Sequence, residues 1–278
     1  MSVNLESKRA KKPLGPVYGS WALVTGASSG IGEAFAFQLA EQGYNLILLA
    51  RNSVRLSSVE TKICARYSVE VKIISCDLSD VGAIQLATLK EIFDNDIGLL
   101  VNNAGWGQPG VFAKHSLEDC ISEVNVNITM PMALTKMFLA VNPNKKKAVI
   151  FLSSIVSYVG SPYLANYSAT KSWTLNFGLA LSQELKNTNT DALVLAPGPT
   201  KTGMFGIKNL DFTKIPMHWM SPNDVASAAL KGLGKKNLVI PGVMNRVMRF
   251  MMSRIMSRNL AQKMFGTMMK KTMPISIL

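Results

Sequence analysis

From Trp21 onward, short uninterrupted apolar runs alternate with longer segments of helical period, and this alternation limits the fold more than any other feature of the chain. A strand buried on one face alternates apolar and polar residues, whereas a strand that is apolar throughout must be covered on both faces. Such runs occur at Trp21–Thr25, Asn45–Ala50, Val69–Cys76, Gly98–Asn102, Ala148–Ser153, Ala192–Ala196 and Asn237–Ile240. Helices are expected between them, near residues 31–42, 53–66, 80–93, 117–141, 166–187 and 222–233. The last has a start signal: Ser221 caps it, Pro222 suits its first turn, and Asp224 favours the positive helix end. Strand and helix in alternation specify an α/β fold, a doubly wound parallel sheet of about seven strands with helices on both faces. The chain shows no internal repeat, low-complexity tract or linker inside 21–241, so that segment reads as one domain. A basic arm, 1–20, precedes it, and a basic, Met-rich helical extension, 242–278, follows it.

Charge separates these parts. The net charge is +13, of which residues 1–20 carry +3 and residues 242–271 carry +7 without a single acid, leaving a near-neutral centre of +3. No base-reading motif accompanies the charge, so a nucleic-acid partner is not expected. In the extension, Met244, Val247, Met248, Met251 and Ile255 share one helical stripe with Arg246 and Arg249 opposite, and Arg258 falls back onto the apolar side. A basic amphipathic helix of this kind lies on an anionic membrane surface, covers a groove of its own domain, or packs on a second subunit of a homo-oligomer. The sequence leaves all three open. Cys64, Cys76 and Cys120 lack ligand spacing, so reduced thiols, a cytoplasmic setting and no metal are expected. The first twenty residues hold no signal-like apolar run, and nowhere do about 18 apolar residues follow one another, so no spanning helix is expected.

The run Val24-Thr25-Gly26-Ala27-Ser28-Ser29-Gly30-Ile31-Gly32 joins the first strand to the first helix. Gly26 permits a tight turn, Gly30 lets backbone approach a pyrophosphate, and Gly32 lets helix and strand pack closely. The free N–H groups at the helix start then face an anion, the arrangement of a Rossmann-type dinucleotide site. A ribose 2′-hydroxyl is usually held by an acid at the end of the second strand, and a 2′-phosphate by a cation. Here that strand ends Leu49-Ala50-Arg51-Asn52, which favours NADP(H) over NAD(H).

Together with Asn102-Asn-Ala-Gly105, a serine thirteen residues before Tyr167, Tyr167-Ser-Ala-Thr-Lys171 and Pro197-Gly198, the glycine turn resembles the ordered motif set of the short-chain dehydrogenase/reductase family over residues 21–241. That resemblance implies cofactor contacts from Gly26, Ser28, Ser29, Gly30, Ile31 and Gly32. It also places Ser28 and Arg51 at the adenosine phosphate, Asp77 and Leu78 at the adenine, and Asn103, Ala104 and Gly105 along the adenosine side. Pro197, Gly198 and Thr202 would meet the nicotinamide end. For Asp77 a helix cap is an equally good structural reading. The segments Tyr18 to Gly26 and Leu49 to Asn52 are further similar to the branch of 3-oxoacyl and 17β-hydroxysteroid reductases, many of which carry an N-terminal membrane span.

Tyr167 and Lys171 stand four apart on an expected helix and share a face, so an ammonium can stabilise the phenolate and bring its pKa towards neutrality. The family resemblance makes Tyr167 the proton donor to a carbonyl, with Lys171 on the nicotinamide ribose. Ser154 orients the substrate oxygen. Neighbouring Ser153 is the alternative, but a one-residue step reverses direction in a strand, and the interval selects Ser154. Asn127 is chosen over Asn125 as the family's helix asparagine, which holds a proton-relay water. Pro131 departs from a regular helix there and should free a carbonyl near residue 127.

Between Thr202 and Ser221, Met204, Phe205, Ile207, Phe212, Met217 and Trp219 form either an apolar lid over substrate or packing for the domain itself; His218 receives no role. The expected activity is NADP(H)-dependent hydride transfer between nicotinamide and a carbonyl or secondary alcohol on an apolar, lipid-like substrate. A reductase of small soluble carbonyls and a non-catalytic NADP(H)-sensing module are the alternatives.

Overall fold

The structure is a computed structural model that describes residues 16–82, 89, 92–93, 96–202 and 219–273. Seven strands form one parallel sheet: β1 (Trp21–Thr25), β2 (Asn45–Ala50), β3 (Val71–Ser75), β4 (Ile97–Asn102), β5 (Lys147–Leu152), β6 (Thr190–Leu195) and β7 (Leu238–Val239). Their order is β3-β2-β1-β4-β5-β6-β7, so the winding reverses between β1 and β4, where doubly wound sheets bind ligands. Strand ends differ by one or two residues from the expectation. β5 begins one residue earlier, at Lys147, because that side chain is buried while its ammonium donates to the Phe138 and Val141 carbonyls at 3.0 and 2.6 Å.

Alternate residues of each strand enter opposite cores. On one face Val24, Leu46, Leu48, Val101 and Ile150 meet Phe35 and Leu39 of α1 (Gly30–Glu41), Leu56 of α2 (Ser53–Cys64), and Val225 and Ala229 of a later helix, Pro222–Gly232. On the other face Leu23, Ile47, Leu49, Leu100 and Val149 meet Met130, Leu134 and Phe138. Two-sided burial explains the uninterrupted apolar runs.

The single helix expected over 117–141 is three pieces: α3 (Leu117–Val124), a π turn at Asn125–Thr129, and α4 (Met130–Ala140). Pro131 has no N–H to give the Asn127 carbonyl, and the wide turn lies at that point. The Thr174 hydroxyl of α5 (Ala165–Glu184) comes within 3.5 Å of that carbonyl. Most of the expected helix 80–93, and all of 203–218 with Met204, Phe205, Ile207, Phe212, Met217 and His218, lie outside the described residues. After α6 (Pro222–Gly232), capped by Ser221, the extension forms α7 (Val243–Phe250), a π turn at Met251–Ile255, and α8 (Arg258–Thr272).

Two boundaries read differently in three dimensions. Tyr18, placed in the basic arm, is buried, with its hydroxyl donating to Asp191 at 2.8 Å and its N–H to the Tyr44 hydroxyl at 3.1 Å. In the extension, Met244, Val247, Met251 and Ile255 of the expected stripe lie on one side, which faces outward, whereas Met248 does not share that side. The opposite side, with Asn245, Met248 and Met252, packs on the domain.

Candidate active site

A cavity of about 930 Å³ opens at the carboxyl edge of the sheet and is lined by the loops that follow β1, β2, β3, β4, β5 and β6. Gly26 and Gly30 adopt φ of 66° and 60°, which admits glycine readily. A Cβ on Gly32 would strike the Gly26 carbonyl, so this third glycine packs the turn and does not line the cavity. Ser29 occupies the N-cap of α1 without a side-chain capping bond, and Ser28, Ser29, Gly30 and Ile31 all line the cavity. An uncapped helix start beside glycines is a fitting cradle for the pyrophosphate of a dinucleotide.

The neighbouring loop is held by a residue that sequence reasoning passed over. Thr25 Oγ1 accepts the N–H groups of Asn103 (3.0 Å) and Ala104 (2.9 Å) and donates to the Val101 carbonyl (3.2 Å). The Asn103 amide donates to the Thr25 carbonyl at 2.8 Å, tying the ends of β1 and β4 together at the winding reversal. Arg51 lines the cavity at the end of β2, joined by Asn52 and Arg55, and Asp77 and Leu78 follow β3. Asp77 accepts both the N–H and the hydroxyl of Ser79 at 2.9 Å. Pro197, Gly198, Thr202 and Trp219 complete this side.

Tyr167 and Lys171 share one face of α5, are both buried, and both line the cavity with Ser154. Ser154 and Tyr167 are joined by a side-chain hydrogen bond. Ser153 is turned away, donating to the Lys171 carbonyl at 2.8 Å. The Lys171 ammonium lies 5.7 Å from the Tyr167 ring centroid and donates to the Leu152 carbonyl at 2.9 Å. Two glycines make room for this group. A Cβ on Gly107 would come within 2.5 Å of the Tyr167 ring, and one on Gly105 would sit 3.0 Å from both Lys171 Nζ and Asn127 Oδ1. Asn127 stands behind the cavity wall, donating to the Trp106 carbonyl (2.8 Å) and Thr170 Oγ1 (3.0 Å) and accepting the Trp106 N–H (3.1 Å).

The electrostatics differ from those expected of a simple tyrosine–lysine pair. Burial, and then the charge of Glu123, push the Tyr167 phenol above its ordinary range, while the Ser154 hydrogen bond pulls it down and is outweighed. Burial lowers Lys171 to about 8, against the opposing pull of Glu123. Glu123 was not anticipated. It is 1% exposed on α3, one helical turn before Asn127, and among the described residues its Oε1 has no hydrogen-bond partner. Burial raises it to about 7 despite hydrogen bonds from the Asn166 side chain and the Gln108 N–H. Its position four residues before Asn127 was the signal available in the sequence. A second unanticipated feature is the apolar wall formed by Phe265, Met268 and Met269 of α8. At the root of the extension, buried Asn245 donates to the Pro241 carbonyl at 2.8 Å and abuts Gly198, where a Cβ would strike its side chain.

The family profile described as short chain dehydrogenase matches residues 20–211. A very-long-chain 3-oxoacyl-CoA reductase of Candida albicans is 30% identical over 80% of this chain and 66% of its own length. The human inactive hydroxysteroid dehydrogenase-like protein 1 is 35% identical over 69% of this chain and 59% of its own length. The chain thus spans about two thirds or less of these two relatives. Among solved structures, a short-chain dehydrogenase from Sphingobium yanoikuyae in complex with NADPH superposes with a TM-score of 0.74 at 27% identity, covering 85% of this chain and 96% of that one.

Proposed function

The chain belongs to the short-chain dehydrogenase family, and from that premise we propose that it is an NADP(H)-dependent oxidoreductase that reduces the carbonyl of an apolar, lipid-like substrate to a secondary alcohol. One observation carries the reading: Ser154 and Tyr167 are hydrogen-bonded to each other at the wall of the cavity, with Lys171 buried behind them. A bound reduced nicotinamide supplies hydride. The uncapped start of α1 and the Asn103 to Gly105 loop hold the dinucleotide, and Arg51 with Arg55 favours a 2′-phosphate. Ser154 donates to the substrate oxygen and orients it. Tyr167, whose raised pKa keeps the phenol protonated at neutral pH, gives that oxygen its proton. Lys171, poised near neutrality, returns a proton towards Tyr167.

The Phe265, Met268 and Met269 wall, which offers soft apolar surface, supports the apolar substrate class. The name of the Candida relative agrees with a long acyl chain. Cys64, Cys76 and Cys120, none of them in a disulfide among the described residues, suit a cytoplasmic setting.

A carbonyl panel of increasing chain length, assayed with NADPH and NADH on the wild type and on Tyr167→Phe, tests the proposal. Turnover should rise with chain length, prefer NADPH, and fall by about 10²–10⁴ in the variant. Full activity in Tyr167→Phe overturns the mechanism. Activity that declines with chain length points to small soluble carbonyls. NADPH binding without turnover on any substrate supports a sensing module, the reading that the name of the human relative favours.

A further inference from the structure

Eight of the fourteen exposed large apolar side chains among the described residues lie between 243 and 264. Val243, Val247 and Phe250 follow one line along α7, and Met244, Met251 and Ile255 run beside it; all are 40–69% exposed. The far side of the same segment is anchored, Met252 and Ala261 against Val159 and Phe265 and Met269 against Tyr167. The outward face is therefore not a frayed helix that lacks a place to pack. A monomer rarely presents so continuous an apolar surface unless something covers it.

The charges around it choose the occupant. Arg246, Arg254, Arg258, Lys263, Lys270 and Lys271 are exposed along the segment, none is paired with a carboxylate among the described residues, and 242–271 contains no acid. In a two-fold dimer the same patch would face itself and bring cations against cations. An anionic phospholipid bilayer offers the opposite: an apolar interior for the methionines, valine and phenylalanine, and phosphate at the depth of the arginines and lysines. We propose that α7, the π turn after it and the outer face of α8 form a docking surface for an anionic membrane. Because the inner face of α8 supplies Phe265, Met268 and Met269 to the cavity, a docked protein holds that wall next to the lipid.

The surface stands independently of the catalytic reading, so the assay reads binding. Full-length chain is sedimented with vesicles of phosphatidylcholine alone and of phosphatidylcholine mixed with phosphatidylserine, and compared with Val247→Ser/Phe250→Ser and Arg254→Glu/Lys263→Glu. These positions are exposed and do not line the cavity, and retained thermal melting and circular dichroism verify each fold. The wild type should prefer the anionic vesicles by about tenfold or more and lose binding as salt rises, and each variant should bind about tenfold less. Equal sedimentation of wild type and both variants overturns the proposal. So does a wild type that ignores anionic vesicles but forms a dimer that Val247→Ser/Phe250→Ser dissolves, which assigns the face to a second copy instead.

Discussion

Replacing Glu123 by glutamine separates the electrostatic burden of the site from its shape. The carboxyl has a folded-state pKa of about 7 against an ordinary value of 4.5, so between those values the folded chain keeps a proton that the unfolded chain has released. The unfolded state then binds fewer protons, and stability falls as pH rises through that window. At about 1.4 kcal/mol per unit, the loss between about pH 5 and 8 comes to roughly 2–3 kcal/mol. Lys171, lowered by burial to about 8, works in the opposite direction and in a different window: its contribution recovers stability as pH rises from about 8 towards its ordinary 10.5. Glutamine keeps the size of the side chain and the acceptor that Asn166 and Gln108 use. Its NH₂ takes the place of an oxygen that already lacks a partner, a fixed cost of about 1 kcal/mol at every pH. The informative quantity is therefore the difference between two pH values. Thermal melting of both proteins at about pH 5 and 8 should show the wild type losing about 5 °C or more relative to Glu123→Gln, at roughly 2 °C per kcal/mol for a domain of this size. Parallel losses in the two proteins would refute a neutral, buried Glu123. The same substitution removes the charge that holds both Tyr167 and Lys171 up, so the pH profile of turnover should move to lower pH.

Arg51→Ala should raise the KM for NADPH by about 10–100-fold, the worth of a charge-assisted hydrogen bond, and leave that for NADH nearly unchanged. Equal effects on the two cofactors would remove its assigned role. Gly107→Ala forces the Tyr167 ring to move, since a Cβ there meets it at 2.5 Å, and should lower kcat by about 100-fold with NADPH affinity retained. A kcat near wild type would mean that the phenol does not depend on that fit.

Much of the fold was legible because its signals are local. Apolar runs bounded by turn residues located the strands, and Gly26, Gly30 and Gly32 mark a turn whose positive φ angles and close packing demand glycine. Tyr167 and Lys171 were visible through the resemblance of their motif, and helical spacing placed them on one face. What escaped depends on contacts between segments distant in the chain. Lys147 reads as a polar residue before a strand, yet it is buried because two carbonyls at the end of α4 wait for its ammonium. Glu123 reads as an ordinary helix-surface acid until α5 packs over it. Pro131 announced a disturbance, but not that it would be a π turn. The stripe of α7 was legible in part, with Met248 turning out on the packed side, and its direction was left open, because periodicity defines a face without saying which way it looks.

The contact between Asn245 and Gly198 changes what kind of object the extension is. A basic, amphipathic tail invites treatment as a detachable address label, one that a deletion removes or a fusion transfers without touching the enzyme. Here its first turn clamps the loop after β6 and its last helix walls the cavity. A chain cut after Gly242 would lose the proposed docking surface and one wall of the cavity in one stroke.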